Sequence, residues 1–230
     1  MEVYRGNTYH VSKHKLNGTI YYCVASNMGP RVIKISRNLD EAINRLKEEE
    51  NRMSESKKYE LTAETKNYAG RTLYRIRALR DFGNIRKGAL GGWIEKESNL
   101  SHTGDCWVSG EAIVSGKALV SGKALVSGKA LVSGKALVSG KALVCGEALI
   151  QKTTDILIIT PIGSRNGKTT FYKTKDNKMF VKCGCKNTDI DTWLKMVEAT
   201  HGNNKHGQAY KLAAQIARLQ IELTEEKTDE

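Results

Sequence analysis

The chain has 230 residues and a formal net charge of +12, with 37 Lys and Arg against 25 Asp and Glu. A balance this basic favours polyanionic partners and excludes DNA mimicry, which needs an acidic surface. No apolar run reaches the length of a membrane helix, residues 1–5 do not read as a signal peptide, and the five cysteines are odd in number and scattered; together these argue for a cytoplasmic protein without a disulfide framework.

In chain order, residues 2–5, 19–25 and 31–36 alternate as short strands, with Asn17-Gly18 as a hairpin turn signal. Asn38-Leu-Asp-Glu41 has the spacing of a helix N-terminus, and Leu39, Ala42, Ile43 and Leu46 share one helical face. Residues 1–58 thus form a small β-β-β-α unit. It ends in a charged stretch (residues 47–58) that reads as a solvated helix end or linker.

Residues 59–89 read as an N-terminal cap for a repeat tract downstream. Positions 73–80 alternate as a strand, and Arg71, Arg75, Arg77, Arg80, Arg86 and Lys87 gather there with Tyr74 and Phe82 interleaved. Two readings stand: a capping strand whose arginines cover an edge, or a surface that meets phosphates and stacks on bases.

Residues 108–149 dominate the chain. They read VSGEAI, then VSGKAL five times without change, then VCGEAL. A period of six is too short for helical arrays and is the signature of a parallel β-helix. Alternation along a strand puts Val120, Val126 and Val132 inside together with Ala124, Ala130 and Ala136. Ser-Gly makes each corner. Lys117, Lys123, Lys129, Lys135 and Lys141 then face outward, and so do Leu119, Leu125, Leu131, Leu137 and Leu143. Outward Lys keeps a sheet unstacked. An outward Leu ladder is either covered by a terminal segment of the same chain or is a self-association surface. The register extends upstream through 90–107 and downstream through 150–155, with 156–161 as a further hexad. That gives about four coils over 90–155 with degenerate ends.

After the repeats, 156–230 reads as a β-hairpin plus two helices. Positions 156–162 are a strongly apolar strand, Asn166-Gly167 and Asp176-Asn177 are turns, and 169–173 and 178–182 are strands. Ile190, Trp193, Leu194 and Val197 face inward from a first helix ending at His201-Gly202. Ala209, Leu212, Ala213, Ile216, Leu219 and Leu223 do so from a second. Residues 224–230 read as a frayed tail. Gly163 to Thr169 has three residues between its glycines where a nucleotide loop needs four, and no helix succeeds it, so it is not a nucleotide site; Arg165 and Lys168 remain able to meet an anion. Cys183, Cys185, His201 and His206 offer four zinc-type ligands, but C-x-C is not the usual knuckle spacing, and no metal or cofactor is expected.

The repeats resemble the left-handed parallel β-helix of the hexapeptide-repeat superfamily, in which three hexads make one triangular coil. Tyr74-Arg-Ile-Arg-Ala-Leu79, Gly88-Ala-Leu-Gly-Gly-Trp-Ile-Glu95, Pro161-Ile-Gly-Ser-Arg-Asn166, Cys183-Gly-Cys185 and Thr200-His-Gly-Asn203 are similar to segments of uncharacterised phage, prophage and gut-bacterial members. The resemblance implies a mainly β fold with small α+β end domains, and a phage or bacterial cytoplasmic origin. It brings no established activity. The superfamily's acyltransferases use a histidine base and a loop that breaks the coils. Residues 108–149 have neither, and His102 falls near the first coils. Three functions are expected, in this order: a non-enzymatic scaffold or protein-binding protein, oligomeric through the Leu set; a nucleic-acid or other polyanion binder through Arg71 to Lys87 and the Lys set; an acyltransferase-like enzyme.

Overall fold

The computed structural model describes residues 2–5, 9–16, 19–26 and 32–223, the side chains of 2–9, 26–34 and 49–56 excepted. It divides into two compact units, Met1–Lys57 and Lys58–Glu230.

The first unit is an antiparallel sheet in the order β1 (Glu2–Arg5), β2 (Tyr9–Leu16), β3 (Thr19–Ser26), β4 (Val32–Ser36), followed by α1 (Leu39–Ser56). Sequence reading missed β2, whose HVSKHKL pattern is broken by polar residues on both faces. Asn38 caps α1 as its position predicts: its Oδ1 accepts the Asp40 and Glu41 amides at 2.8 and 3.2 Å. Val11, Val24, Ala42 and Leu46 close the core. The charged stretch continues α1 through Ser56 and makes no separate linker. The Asn17-Gly18 turn lies outside the described residues.

The second unit is built on the repeat. Eight two-residue strands carry it: β8 (Trp107–Val108), β9 (Ile113–Val114), β10 (Leu119–Val120), β11 (Leu125–Val126), β12 (Leu131–Val132), β13 (Leu137–Val138), β14 (Leu143–Val144) and β15 (Leu149–Ile150). Each of β8 to β12 pairs in parallel with the strand eighteen residues on, so Ile113 lies over Leu131 and Leu131 over Leu149. Three hexads therefore make one coil, and the tract is a parallel β-solenoid of about three turns. Val120, Val126, Val132, Ala124 and Ala130 are all 0 % exposed, which fixes valine and alanine inside. Backbone bonds run from coil to coil, for example Leu119 N–H to Ala136 O at 3.0 Å. At the corner, Gly128 has φ +71° and a Cβ there would lie 2.8 Å from the Gly146 nitrogen. Only glycine meets both demands.

Four coils were expected and about three form, for a reason visible at each end. Upstream, β7 (Leu90–Ile94) pairs in parallel with β9 but lies twenty residues before it, because a 3-10 turn at Glu97–Asn99 lengthens the first coil. Downstream, 156–161 belongs to an antiparallel strand.

The first coil leaves its upper carbonyls without a neighbouring coil, and buried polar groups satisfy them. Asn99 Nδ2 donates to Gly116 O and Ala118 O at 3.3 and 2.8 Å. Tyr59 Oη lies 2.8 Å from both Glu97 O and Leu100 O, its single proton shared between the two carbonyls. The fully buried Lys58 Nζ donates to Cys106 O at 2.8 Å and reaches Gly104 O at 3.4 Å. Burial pushes this ammonium below the ordinary lysine range, with the hydrogen bond to Cys106 opposing it. Beside this cap, β5 (Tyr59–Tyr68) and β6 (Arg71–Ala78) form a hairpin that extends the β7 edge antiparallel, a bulge lying between Leu61 and Thr65.

The other end is closed by a four-stranded antiparallel sheet, β16 (Ile156–Ile162), β17 (Gly167–Lys173), β18 (Met179–Cys183) and β19 (Lys186–Asp189). Two helices, α2 (Ile190–His201) and α3 (Lys205–Gln220), pack on it. Sequence reading took 187–189 only as a helix cap. Asp189 does cap α2, accepting the Thr192 amide at 2.8 Å, but Lys186–Asp189 also pairs with β18. The expected inward face of α3 is corrected: Leu212, Ile216, Leu219 and Leu223 are exposed, and Gly207, Tyr210, Ala213, Ala214 and Ala217 are buried. Small residues let α3 approach closely. A Cβ on Gly207 would lie 2.2 Å from Gly202 O.

Candidate functional site: a cationic groove on the solenoid

Three hexads per coil split each outward set over three faces. Leu119 pairs with Leu137 on one face; Trp107, Leu125 and Leu143 share the second; Trp93, Ile113, Leu131 and Leu149 share the third. The leucines therefore form no single ladder, and Leu125 and Leu137, at 40 and 41 % exposure, lie on different faces. On the third face the β5–β6 hairpin supplies cover from the same chain. Leu73 is fully buried against Trp93 and Ile113, with Leu131 packed at the edge.

The lysines divide in the same way. Lys129 stands between Glu111 and Glu147 in the coils above and below, 4.0 Å from Glu147, and Lys123 lies 3.5 Å from Asp105. Lys117 and Lys135 occupy successive coils of the remaining corner.

The arginine cluster is largely paired. Arg75 reaches Glu111 at 3.2 Å, Arg77 bonds Glu60, and Arg86 reaches Asp81 at 3.0 Å. Glu111 also accepts from Lys66 and the Trp93 indole, both at 3.1 Å. The Lys66 bond is the chief reason its carboxyl is held below the usual carboxylate range. Lys66 and Arg75 lie over the Trp93 ring, 4.2 and 5.1 Å from its centroid. Arg71 grips Glu95 through both carboxylate oxygens at 2.9 Å, while Glu95 Oε2 accepts the Gly116 amide at 2.6 Å. That backbone bond is the first cause of the lowered Glu95 pKa. Lys87 meets Asp81 through its backbone amide, which donates to Asp81 Oδ1 at 2.7 Å.

From these groups the fold assembles one site. Tyr68, Ala69 and Arg71 at the hairpin tip face Ser115, Gly116, Lys117, Leu131, Ser133, Gly134, Lys135 and Gln151 across a cavity of about 500 Å³. Arg71, Lys117 and Lys135 converge there. Arg75, Arg77, Arg80, Arg86, Lys87, Lys123, Lys129 and Lys141 do not. Tyr68 at the lip is 40 % exposed. No sequence signal joined Tyr68, Ser133 and Gln151 to the cations, because the hairpin's path over the third face depends on the bulge in β5.

Cys183, Cys185 and His201 line a second cavity at the far end of the unit, but His206 does not line it. His201 and His206 stand 6.1 Å apart by ring centroid, and among the described residues no three His, Cys, Asp or Glu side chains converge as a metal site. His102 sits in the cap, stacked on Tyr59 at 4.3 Å and accepting the Lys58 amide through Nδ1 at 3.2 Å. Among the described residues no helix is long and apolar enough to cross a membrane. Neither the family models nor the curated proteins yield a match to this chain.

Proposed function

We propose that the chain is a non-enzymatic binding protein in which the solenoid is a rigid scaffold and the groove at Arg71, Lys117 and Lys135 receives an extended polyanion, single-stranded nucleic acid being the class it suits best. The observation that carries this reading is the convergence of those three cations from two distant segments on one open cavity. Lys117 and Lys135 sit one coil apart, about 4.8 Å, a spacing suited to successive charges along a polyanion. Ser115, Ser133 and Gln151 add neutral donors, and exposed Tyr68 adds a surface on which a base stacks. The eighteen-residue coil, three hexads long, supports the resemblance to hexapeptide-repeat proteins.

The test is anisotropy of a labelled single-stranded oligonucleotide titrated at several salt concentrations. Lys117→Ala with Lys135→Ala should flatten the log–log salt slope by about 1.4, and Tyr68→Ala should weaken binding about tenfold or more without changing that slope. Absence of binding at low salt, or a double variant with the parent slope, ends the reading.

A second reading, self-association, is favoured by α3 and not by the solenoid leucines. Leu212, Ile216 and Leu219 follow the 4-3 spacing of a coiled-coil seam, and Leu219 is 86 % exposed. The occupant is a second copy of this chain. Gln215 and Gln220 flank the seam and are neutral, so identical helices meet without like charges opposed. Sedimentation equilibrium of the parent and of Leu219→Gln decides it: a monomeric parent removes this reading.

A further inference from the structure

The cavity at the far end of the second unit unites two segments that look unrelated in the sequence. Its walls are the β16–β17 turn with Ser164, Arg165 and Lys168, the β18–β19 turn with Cys183 and Cys185, and the end of α2 with Thr200 and His201. Leu143 of the solenoid and Ile162 give it an apolar floor, and Tyr210 of α3 closes one side. The space is about 470 Å³, the size of a small organic ligand.

Its charge is one-sided. Arg165 and Lys168 line it, no Asp or Glu does, and neither cation has an acidic partner among the described residues. Lys168 is half-buried beside Lys141 of the solenoid. Burial first, then repulsion from Lys141, pushes its ammonium below the ordinary lysine range. Arg165 and Lys168 thus line one cavity, Lys168 already repelled by Lys141, with no carboxylate in the lining, an arrangement that a bound dianion relieves.

The walls are set before any ligand arrives. Gly163 has φ +77°, and a Cβ there would lie 1.8 Å from the Tyr210 hydroxyl, so the β16–β17 turn is seated directly on Tyr210. Thr169 Oγ1 donates to Cys183 Sγ at 3.2 Å, tying the two turns. Tyr210 is a protonated phenol at neutral pH and can donate, and burial, reinforced by Cys183, raises its pKa further to about 12. The carbonyls at the end of α2 would oppose an anion, but Glu198 O and His201 O already accept the Gly202 and Asn204 amides, at 2.8 and 3.1 Å.

We infer that this cavity binds a small phosphomonoester, its phosphate held by Arg165 and Lys168 with Tyr210 as donor and its organic part against Leu143 and Ile162. A phosphate dianion matches the cations in charge, and guanidinium meets it in a bidentate fork. The apolar floor distinguishes an ester from free phosphate.

Exposed Cys185 supplies the readout. The full chain is alkylated with a maleimide and the rate at Cys185 followed by mass spectrometry, with phenyl phosphate, inorganic phosphate, or sodium chloride at matched ionic strength. Thermal unfolding is recorded in parallel. Phenyl phosphate should slow the reaction at Cys185 and raise Tm, inorganic phosphate should do so at about tenfold higher concentration, and chloride should do neither. Arg165→Ala with Lys168→Met should abolish both effects. Lys168→Met alone should unfold at or above the parent temperature without ligand, because it removes the repulsion from Lys141; this reports on folding independently of binding. Lys117→Ala with Lys135→Ala should leave both effects intact, separating this site from the groove. Equal effects from phosphate ester and chloride, or ester effects that survive in the double variant, overturn the assignment.

Discussion

Val126 and Leu125 are neighbours in one strand, and the fold gives them opposite fates. Val126 is 0 % exposed, stacked between Val108 and Val144 in the coils on either side. Leu125 points outward at 40 % exposure. Val126→Thr keeps the side-chain shape but puts a hydroxyl in the tube. The backbone carbonyls around it are already engaged along the solenoid axis, as where Ser109 N–H meets Val126 O at 2.9 Å and Ser127 N–H meets Val144 O at 2.9 Å. An unpaired buried hydroxyl costs about 1–3 kcal/mol and the lost methyl about 0.8 kcal/mol, so a loss of about 2–4 kcal/mol is expected. For a unit of this size that is a Tm drop of roughly 4–16 °C. Leu125→Thr gives up only part of a leucine's burial and places a good strand former on a wet face, at a cost of about 1 kcal/mol or less. Urea titrations of both variants, compared at equal m-value, measure the contrast. If Leu125→Thr costs as much as Val126→Thr, the assignment of inside and outside fails, and the groove on the outer face fails with it.

Three further outcomes are expected. Inserting eighteen residues, three copies of VSGKAL, between Leu131 and Val132 should add one coil and leave Tm at or above that of the parent, whereas a seventeen-residue insert should lose cooperative unfolding because every later side chain changes face; equal behaviour of the two inserts would contradict the eighteen-residue coil. Lys58→Met strips donors from Gly104 O and Cys106 O and should cost about 2 kcal/mol in urea unfolding; a stabilised variant would mean that the ammonium is a trapped charge and not a cap. Burial raises the pKa of Tyr59, Tyr172 and Tyr210 above the ordinary value of 10.0, Tyr210 to about 12. Their folded state keeps a proton that the unfolded chain releases, so the stability they contribute is whole below pH 10 and falls as pH rises beyond it. Tyrosinate absorbance should show at least three of the nine tyrosines resisting ionisation in the native protein, and uniform titration near pH 10 would refute this.

The solenoid could be read from the chain because its rule is local: period, alternation and a corner glycine all lie within six residues. Facing followed for Val120 and Ala124, and so did the cap at Asn38. What lay beyond reach depended on partners far away in sequence. Eighteen residues per coil mean that lysines and leucines adjacent in the periodic pattern never meet, so one imagined ladder became three short ones. On α3, Leu212, Ile216 and Leu219 repeat with a helical period, but so do Tyr210, Ala213, Ala214 and Ala217. Composition favours burying the leucines. The close seat of Gly207 on Gly202 decides for the small face. Arg71, Arg75 and Arg77 read as a bare basic patch because Glu95, Glu111 and Glu60 come to them from other strands.

Five identical hexads present identical surfaces, so recognition has to arise where that identity breaks. The two hexads that carry Glu in place of Lys bracket the tract, and both glutamates are docking points. Glu111 collects Lys66, Arg75 and the Trp93 indole from the first end. Glu147 takes Lys175 at 2.9 Å from the other, where Tyr172 also bonds the carbonyl of Cys145, the one cysteine among the corner serines. Each end structure is thus pinned to a chosen rung by opposite charge. Among the cations that form no ion pair within the described residues are Lys117 and Lys135, which line the groove at the hairpin tip, and Arg165 and Lys168, which line the cavity at the far turn. On this logic Glu111→Lys should do more than remove an ion pair. It restores the repeat, sets a lysine against Lys66 and Arg75, and should lift the hairpin from the third face. Enhanced proteolysis at residues 66–71, with the rest of the unit intact, is the expected sign, and loss of oligonucleotide binding should accompany it. Protection equal to that of the parent would show that burial of Leu73 on Trp93 and Ile113 holds the hairpin without the charge.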